Sequence, residues 1–148
     1  MSAETLQLAY RELGDPQRPP LLLVHGLFGS SGNWMGVVKR LQDDYRLILP
    51  DLRNHGRSPH HPTMDFPSMA ADLLALLDRL QIESASLVGH SMGGKAGMWL
   101  ALTQPERVER LVAADIAPVS YHNRFETIFQ GLCEIPLAEL DGREAADR

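Results

Sequence analysis

The chain has 148 residues, 44% of them apolar and 22% charged, with a formal net charge of -5. That length argues for one domain, and the acidic balance lacks the basic footprint that a nucleic-acid partner needs. A single cysteine, Cys133, excludes an internal disulfide; the opening MSAETLQLAYREL has no apolar signal core and no apolar run approaches the roughly 20 residues of a membrane span, so a cytoplasmic protein without a membrane contact is expected.

In chain order, residues 6–13 alternate (Leu6, Leu8, Tyr10) and predict an edge strand or hairpin arm. The following GDPQRPP is a turn by its Gly, Asp and Pro content. Leu21-Leu22-Leu23-Val24 is an apolar run that ends on His25, and a short helix is expected over 34–41. Leu47-Ile48-Leu49-Pro50 ends on Asp51. Met69, Leu73, Leu76, Leu77 and Leu80 share one helix face, with Asp72, Asp78 and Arg79 off that stripe. Ser86-Leu87-Val88-Gly89 leads into His90 and Ser91, and a helix should follow to about Gln104, ahead of Pro105. Leu111-Val112-Ala113-Ala114 ends on Asp115. Near-continuous apolar runs suit strands buried on both faces, and strands alternating with helices predict a parallel α/β sheet with right-handed crossovers. Ligands of such sheets bind beyond the carboxyl ends of the strands. His25, Asp51, Ser91 and Asp115 all fall there.

Gly89-His90-Ser91-Met92-Gly93 matches G-x-S-x-G between a strand and a helix. That pattern mounts a serine nucleophile on a sharp turn, where small residues two before and two after it avoid clashes. The Met92 N–H, at the start of the helix, would stabilise a developing oxyanion. A second donor is expected from His25-Gly26-Leu27-Phe28-Gly29-Ser30: the Leu27 N–H, with that of Phe28 as the adjacent alternative. His25 is read as a brace for this loop through its ring nitrogens, and His90 as a packing or bracing residue. DLRNHGRS at 51–58 is read as a structural turn in which Asp51 and Arg53 satisfy buried backbone and Gly56 takes a positive φ. His60 and His61 sit in a proline-flanked loop, no Cys/His cluster has zinc spacing, and no metal or cofactor is expected. Lys95 is read as solvated or bracing. Phe28, Trp34 and Met92 either line an apolar pocket near the serine or belong to the core.

HGLFGS at 25–30, DLRNHGRS at 51–58 and GHSMGG at 89–94 together resemble the α/β-hydrolase superfamily. GHSMGGK at 89–95 with DIAPVSYH at 115–122 is similar to the bacterial YbfF-type esterases, which act on short acyl esters, including acyl-CoA thioesters. The resemblance implies an α/β-hydrolase core over 1–120 and the start of a helical cap over 121–148. It makes Ser91 the nucleophile, Met92 an oxyanion donor and Asp115 the triad acid, although Asp115 could instead cap the turn before Pro118. The triad order in this fold is Ser, Asp or Glu, then His. Five of the six histidines precede Asp115, and only His122 follows it. A chain cut short before its base histidine is therefore expected.

The resulting expectation is a serine hydrolase that cleaves small carboxylic esters or acyl thioesters through an acyl-enzyme on Ser91. The alternatives are an inactive fragment without the catalytic histidine, and another serine chemistry of the same fold, C–C bond hydrolysis or cofactor-free haloperoxidation. Serine at 91 argues against epoxide hydrolase or haloalkane dehalogenase chemistry, which needs a carboxylate nucleophile. The strand ending at Asp115 would be an exposed apolar edge, so oligomers or aggregates are expected.

Overall fold

The computed structural model describes residues 4–120 together with 130, 131, 133 and 134. The expected cap, 121–148, lies outside the described residues except for those four, which are helical. The chain divides into two compact units, Met1–Pro118 and Val119–Arg148; the first carries every element discussed below.

Among the described residues, five strands form one sheet: β1 (Tyr10–Leu13), β2 (Pro20–Val24), β3 (Arg46–Pro50), β4 (Ala85–His90) and β5 (Val108–Ala114). Their order is β1-β3-β2-β4-β5. β1 runs antiparallel to β3, with Tyr10 opposite Pro50, and the other neighbours are parallel. Three helices make the crossovers: α1 (Met35–Leu41) after a 3-10 turn (Ser31–Trp34), α2 (Phe66–Arg79) and α3 (Met92–Thr103).

The continuous apolar runs have a simple cause. Leu21 and Leu23 of β2 and Leu47 and Leu49 of β3 pack with Val38 of α1 on one face. Leu22, Val24 and Ile48 face the opposite way, into a core with Leu73, Leu76 and Leu77 of α2 and Ala96 and Leu100 of α3. Burying each such side chain stabilises by about 1.5–3 kcal/mol, so a strand covered on both faces has no position to spare for a polar residue. At β5 this cover thins. Leu111 lies over Gly97 of α3, whereas Val112, on the other face, is 55% exposed. β5 is also the last strand of the sheet on that side.

β2 sends its chain to β3 on one side, while β4 lies on its other side. This is the switch point at which parallel sheets open a crevice beyond their carboxyl ends. The loops that follow β2 and β4 meet there.

Two sequence expectations change in detail. Only Tyr10–Leu13 of the 6–13 stretch is strand; before it the chain is held by Asp51 N–H on the Ala9 carbonyl (2.9 Å) and by Ala9 N–H on Ser58 Oγ (2.9 Å). Asp72, expected off the apolar stripe of α2, is fully buried. The reason is Arg53, equally buried, whose Nε and Nη2 donate to Asp72 Oδ2 (2.7 Å) and Oδ1 (2.9 Å). Arg53 Nη1 also donates to the Thr63 carbonyl and Nη2 to that of Glu4, while Asp72 Oδ1 accepts Leu6 N–H at 2.7 Å. One ion pair thus ties the N-terminal segment, the long loop after β3 and α2 together. Its two-pronged geometry and full hydrogen bonding offset the desolvation of both charges. Asp72→Ala leaves Arg53 buried and unpaired, and urea unfolding should show a loss of about 3–5 kcal/mol; a loss below about 1 kcal/mol would mean that the clamp does not hold the fold.

Candidate active site

Ser91 stands between the last residue of β4 and the first of α3, with φ +48° and ψ -112°. A non-glycine residue in that region stores strain and persists only where its surroundings impose it. Here the surroundings are glycines. A Cβ at Gly89 would come within 2.5 Å of the Gly93 carbonyl, and one at Gly93 within 2.5 Å of the Val24 and His25 carbonyls. α3 therefore starts in contact with the backbone at the end of β2. Ser91 N–H donates to the Ala114 carbonyl of β5 (3.0 Å), and the Ser91 carbonyl accepts Lys95 N–H (3.1 Å). The Ser91 side chain makes no capping bond to its own helix, and its hydroxyl has no hydrogen-bond partner among the described residues. Met92, the first residue of α3, has no intrahelical acceptor for its N–H.

The loop after β2 is locked to the loop after β3 by two histidines that act reciprocally. Leu52 N–H donates to His25 Nε2 (3.0 Å), and Phe28 N–H donates to His55 Nε2 (3.1 Å). Each ring turns its Nδ1 to a carbonyl of its own loop, His25 to Gly26 (2.8 Å) and His55 to Arg53 (2.9 Å). Because both Nε2 atoms accept, those partners assign the proton of each neutral ring to Nδ1. The rings lie 5.1 Å apart and tilted by 54°. Burial, foremost, pushes the His25 pKa below its ordinary 6.5; the bond to Gly26 works against that, and the neighbouring His55 adds to it. Asp51 completes the lock: Oδ1 accepts Ser31 N–H (2.6 Å) and Oδ2 accepts Arg57 N–H (3.0 Å). Burial alone would raise the Asp51 pKa, but the bonds from Ser31 and Arg57 together hold it below the ordinary carboxylate value. Gly56, at φ +53°, lies where a Cβ would meet that carboxylate at 2.5 Å.

The lock engages one of the two N–H groups expected from HGLFGS. The Phe28 N–H is committed to His55, and Phe28 itself has φ +60°. The Leu27 N–H has no hydrogen-bond partner among the described residues. His25 has the bracing role read for it. The matching role of His55 was missed, because which backbone N–H a ring meets across two loops leaves no trace in sequence spacing.

Asp115 follows β5 with φ +55°; its side chain is 87% exposed, and Oδ2 lies 3.6 Å from His90 Nε2. β5 pairs with β4, so Asp115 ends the strand beside that of the serine. A cavity of about 350 Å³ opens next to these groups, lined in part by Gly26, Leu27, Phe28, Trp34, His90 and Ala114. Phe28 and Trp34 thus belong to a pocket, whereas Met92 packs against the core on the α2/α3 face. Trp34 Nε1 is buried without a hydrogen-bond partner among the described residues. Ser91 is not in the cavity wall, which includes its chain neighbour His90. Among the described residues no group of His, Cys, Asp and Glu could hold a metal ion. His61 serves its own loop, donating its N–H to Asn54 Oδ1 and accepting Thr63 N–H at Nδ1. No helix among the described residues is long and apolar enough to cross a membrane.

A strained serine on a strand-to-helix turn, at the switch point of a mostly parallel sheet, defines the class of the fold. The chain belongs to the α/β-hydrolase fold family, whose model matches residues 19–141. It is 47% identical over 129 residues to esterase YbfF of Escherichia coli K12, covering 86% of this chain and 50% of that protein. It is 41% identical to the sn-1-specific diacylglycerol lipase ABHD11 of Danio rerio, covering 91% of this chain and 44% of that one. Among solved structures, a marine microorganism esterase superposes with a TM-score of 0.82 at 39% identity, covering 95% of this chain and 54% of that chain. The chain therefore spans about half the length of these relatives.

Gly93→Ala should destabilise the fold by about 3 kcal/mol, because the new Cβ meets backbone that cannot move aside; chemical denaturation measures it, and an unchanged midpoint would contradict the close approach. The depressed histidine gives a signed pH dependence. Above pH 6.5, His25 is neutral in folded and unfolded chains alike and its contribution to stability is complete. As the pH falls below 6.5, the unfolded chain binds the proton first and stability drops, until the folded-state pKa is passed. Thermal unfolding at pH 7.5 and 5.5 should show the lower midpoint at 5.5, and replacing His25 should reduce that slope.

Proposed function

We propose that this chain carries the nucleophile, the oxyanion hole and the acid of a serine hydrolase acting on small carboxylic esters or acyl thioesters. The observation that carries the reading is Ser91 itself. Its backbone is forced to φ +48°, its hydroxyl makes no bond among the described residues, and the Met92 N–H beside it has no intrahelical acceptor. Ser91 Oγ attacks the acyl carbonyl, and the carbonyl oxygen gains its charge between the N–H groups of Leu27 and Met92. The tetrahedral adduct collapses to an acyl-enzyme as the alcohol or thiol departs with a proton, and water then releases the acid and restores Ser91. Asp115 orients the imidazole that takes the serine proton.

That imidazole is assigned outside residues 4–120. His25 and His55 are occupied by two loop bonds each, and the rings of His90 and His61 face Asp115 and Glu4. The triad order puts the base after the acid. In this sequence His122 alone meets that condition. The same reading makes residues 1–120 the hydrolase core and 121–148 the beginning of a cap over the acyl group. It also makes the exposed edge of β5 a site of self-association.

The test is p-nitrophenyl butyrate hydrolysis by the wild-type chain, Ser91→Ala, His90→Ala and His122→Ala. The expected result is turnover that falls by about 1,000-fold or more without the serine and survives in His90→Ala. Loss in His122→Ala would identify the base, and activity retained there would assign it to neither ring. Equal rates for wild type and Ser91→Ala would overturn the reading in favour of an elbow without its base.

A further inference from the structure

We propose that His55 is a positioning residue for the oxyanion hole: as a neutral imidazole it holds the Phe28 amide, which leaves the Leu27 N–H as the donor, and its protonation releases that loop. The inference rests on the proposed roles of Ser91 and Leu27, and it names a residue outside the triad and outside the hole.

The geometry carries it. His55 comes from the loop after β3, yet its Nε2 accepts a backbone N–H of the loop after β2, one residue beyond Leu27. Phe28 is held at φ +60°, a conformation a bulky side chain adopts only under constraint. Phe28 is 72% exposed and Leu27 44%. The bond to His55 ties the backbone at this point to the loop after β3. A backbone released at Phe28 would relax towards negative φ and free the Leu27–Phe28 peptide, and with it the anchor of the adjoining Gly26–Leu27 peptide, which carries the Leu27 N–H.

A proton converts His55 Nε2 from acceptor to donor and sets two N–H groups against each other. The ring faces His25 at 5.1 Å, and its own Nδ1–H is engaged by the Arg53 carbonyl. The Arg53 guanidinium is turned away to Asp72. Asp51, in the same loop, is engaged by Ser31 and Arg57 N–H, with the Arg57 guanidinium 3.8 Å from its Oδ2. His25 makes the mirror-image bond to Leu52, and the neighbouring His55 is one of the groups that lower the His25 pKa.

The experiment is 15N NMR of the 148-residue chain with butylboronic acid as the ligand, since its tetrahedral adduct on Ser91 places an anionic oxygen in the hole without needing a general base. At pH 7.5 both rings should show the Nδ1–H tautomer. On acidification, the Phe28 and Leu27 amides should shift together with the His55 ring. His55→Gln keeps an acceptor at the Nε2 position but cannot titrate. In it the Phe28 and Leu27 amides should stop titrating, the Leu52 amide should still follow His25, and boronate affinity should stay within about twofold. His55→Phe removes the acceptor and should weaken the boronate about tenfold or more, in a chain whose remaining spectrum is unchanged. Amides at 27 and 28 that ignore the His55 titration, or equal boronate affinity in the Phe and Gln variants, would overturn the proposal. No adduct on wild-type Ser91 would instead sink the nucleophile reading, while the coupling of the rings to the amides would still be decided by the titration.

Discussion

The site depends on one close approach: the first turn of α3 rests against the carbonyls at the end of β2, with Gly93 at the contact and Gly89 beneath it. Were the helix held off by even one methyl group, β4 could not turn sharply enough to leave Ser91 at φ +48°. The contact also brings the β2 loop beside the serine, so the same geometry that strains the nucleophile delivers the second candidate donor. Gly94, near Ile116, and the bond from Ser91 N–H to Ala114 extend the clamp to β5. The serine is thus fixed by three strands at once.

Strain is concentrated where the strands end. Phe28 after β2, Asn54 after β3, Ser91 after β4 and Asp115 after β5 all have positive φ without being glycine. Each would relax if its loop were solvated and unattached, and the attachments are visible for three of them. His55 holds Phe28, His61 and the Pro59 carbonyl hold Asn54, and Ala114 holds Ser91. These bonds involve backbone and buried side chains rather than surface charges, so salt would weaken them little. Acid is different, because the bonds to His25 and His55 need neutral rings.

The sequence carried the fold well where a single face-to-face contact sets the pattern. Leu21 to Val24 and Leu47 to Pro50 are apolar at every position because α1 covers one face and α2 and α3 the other, and the four polar residues that follow the parallel strands do fall at one rim. The elbow was legible because its glycines are a local steric requirement. Asp72 was not legible: a helix period places it off the apolar stripe, and only the arrival of Arg53 from a different loop explains its burial. The same holds for His55, whose partner N–H is 27 residues away along the chain. Side chains that satisfy distant backbone groups obey no period, and a strand boundary such as that of β1 depends on which neighbour supplies the ladder.

On the proposed reading, the elbow and the base belong to different parts of the molecule. Every group that strains Ser91, from the Val24 carbonyl to Ile116, lies within Met1–Pro118, the larger compact unit. Nothing that shapes the turn requires an imidazole, because the strain comes from clearance between backbone segments and the first helical N–H groups are present whether or not a proton acceptor is near. Asp115 sits at the same rim but is anchored there only by its strand, with its carboxylate exposed beside His90. A buried carboxylate would need its partner to fold with it; an exposed one can wait in water at little cost and take up an imidazole on arrival. On the proposed reading the nucleophile and its two N–H donors belong to one unit and the proton acceptor does not, so the geometry of the first and the chemistry of the second call for separate measurements.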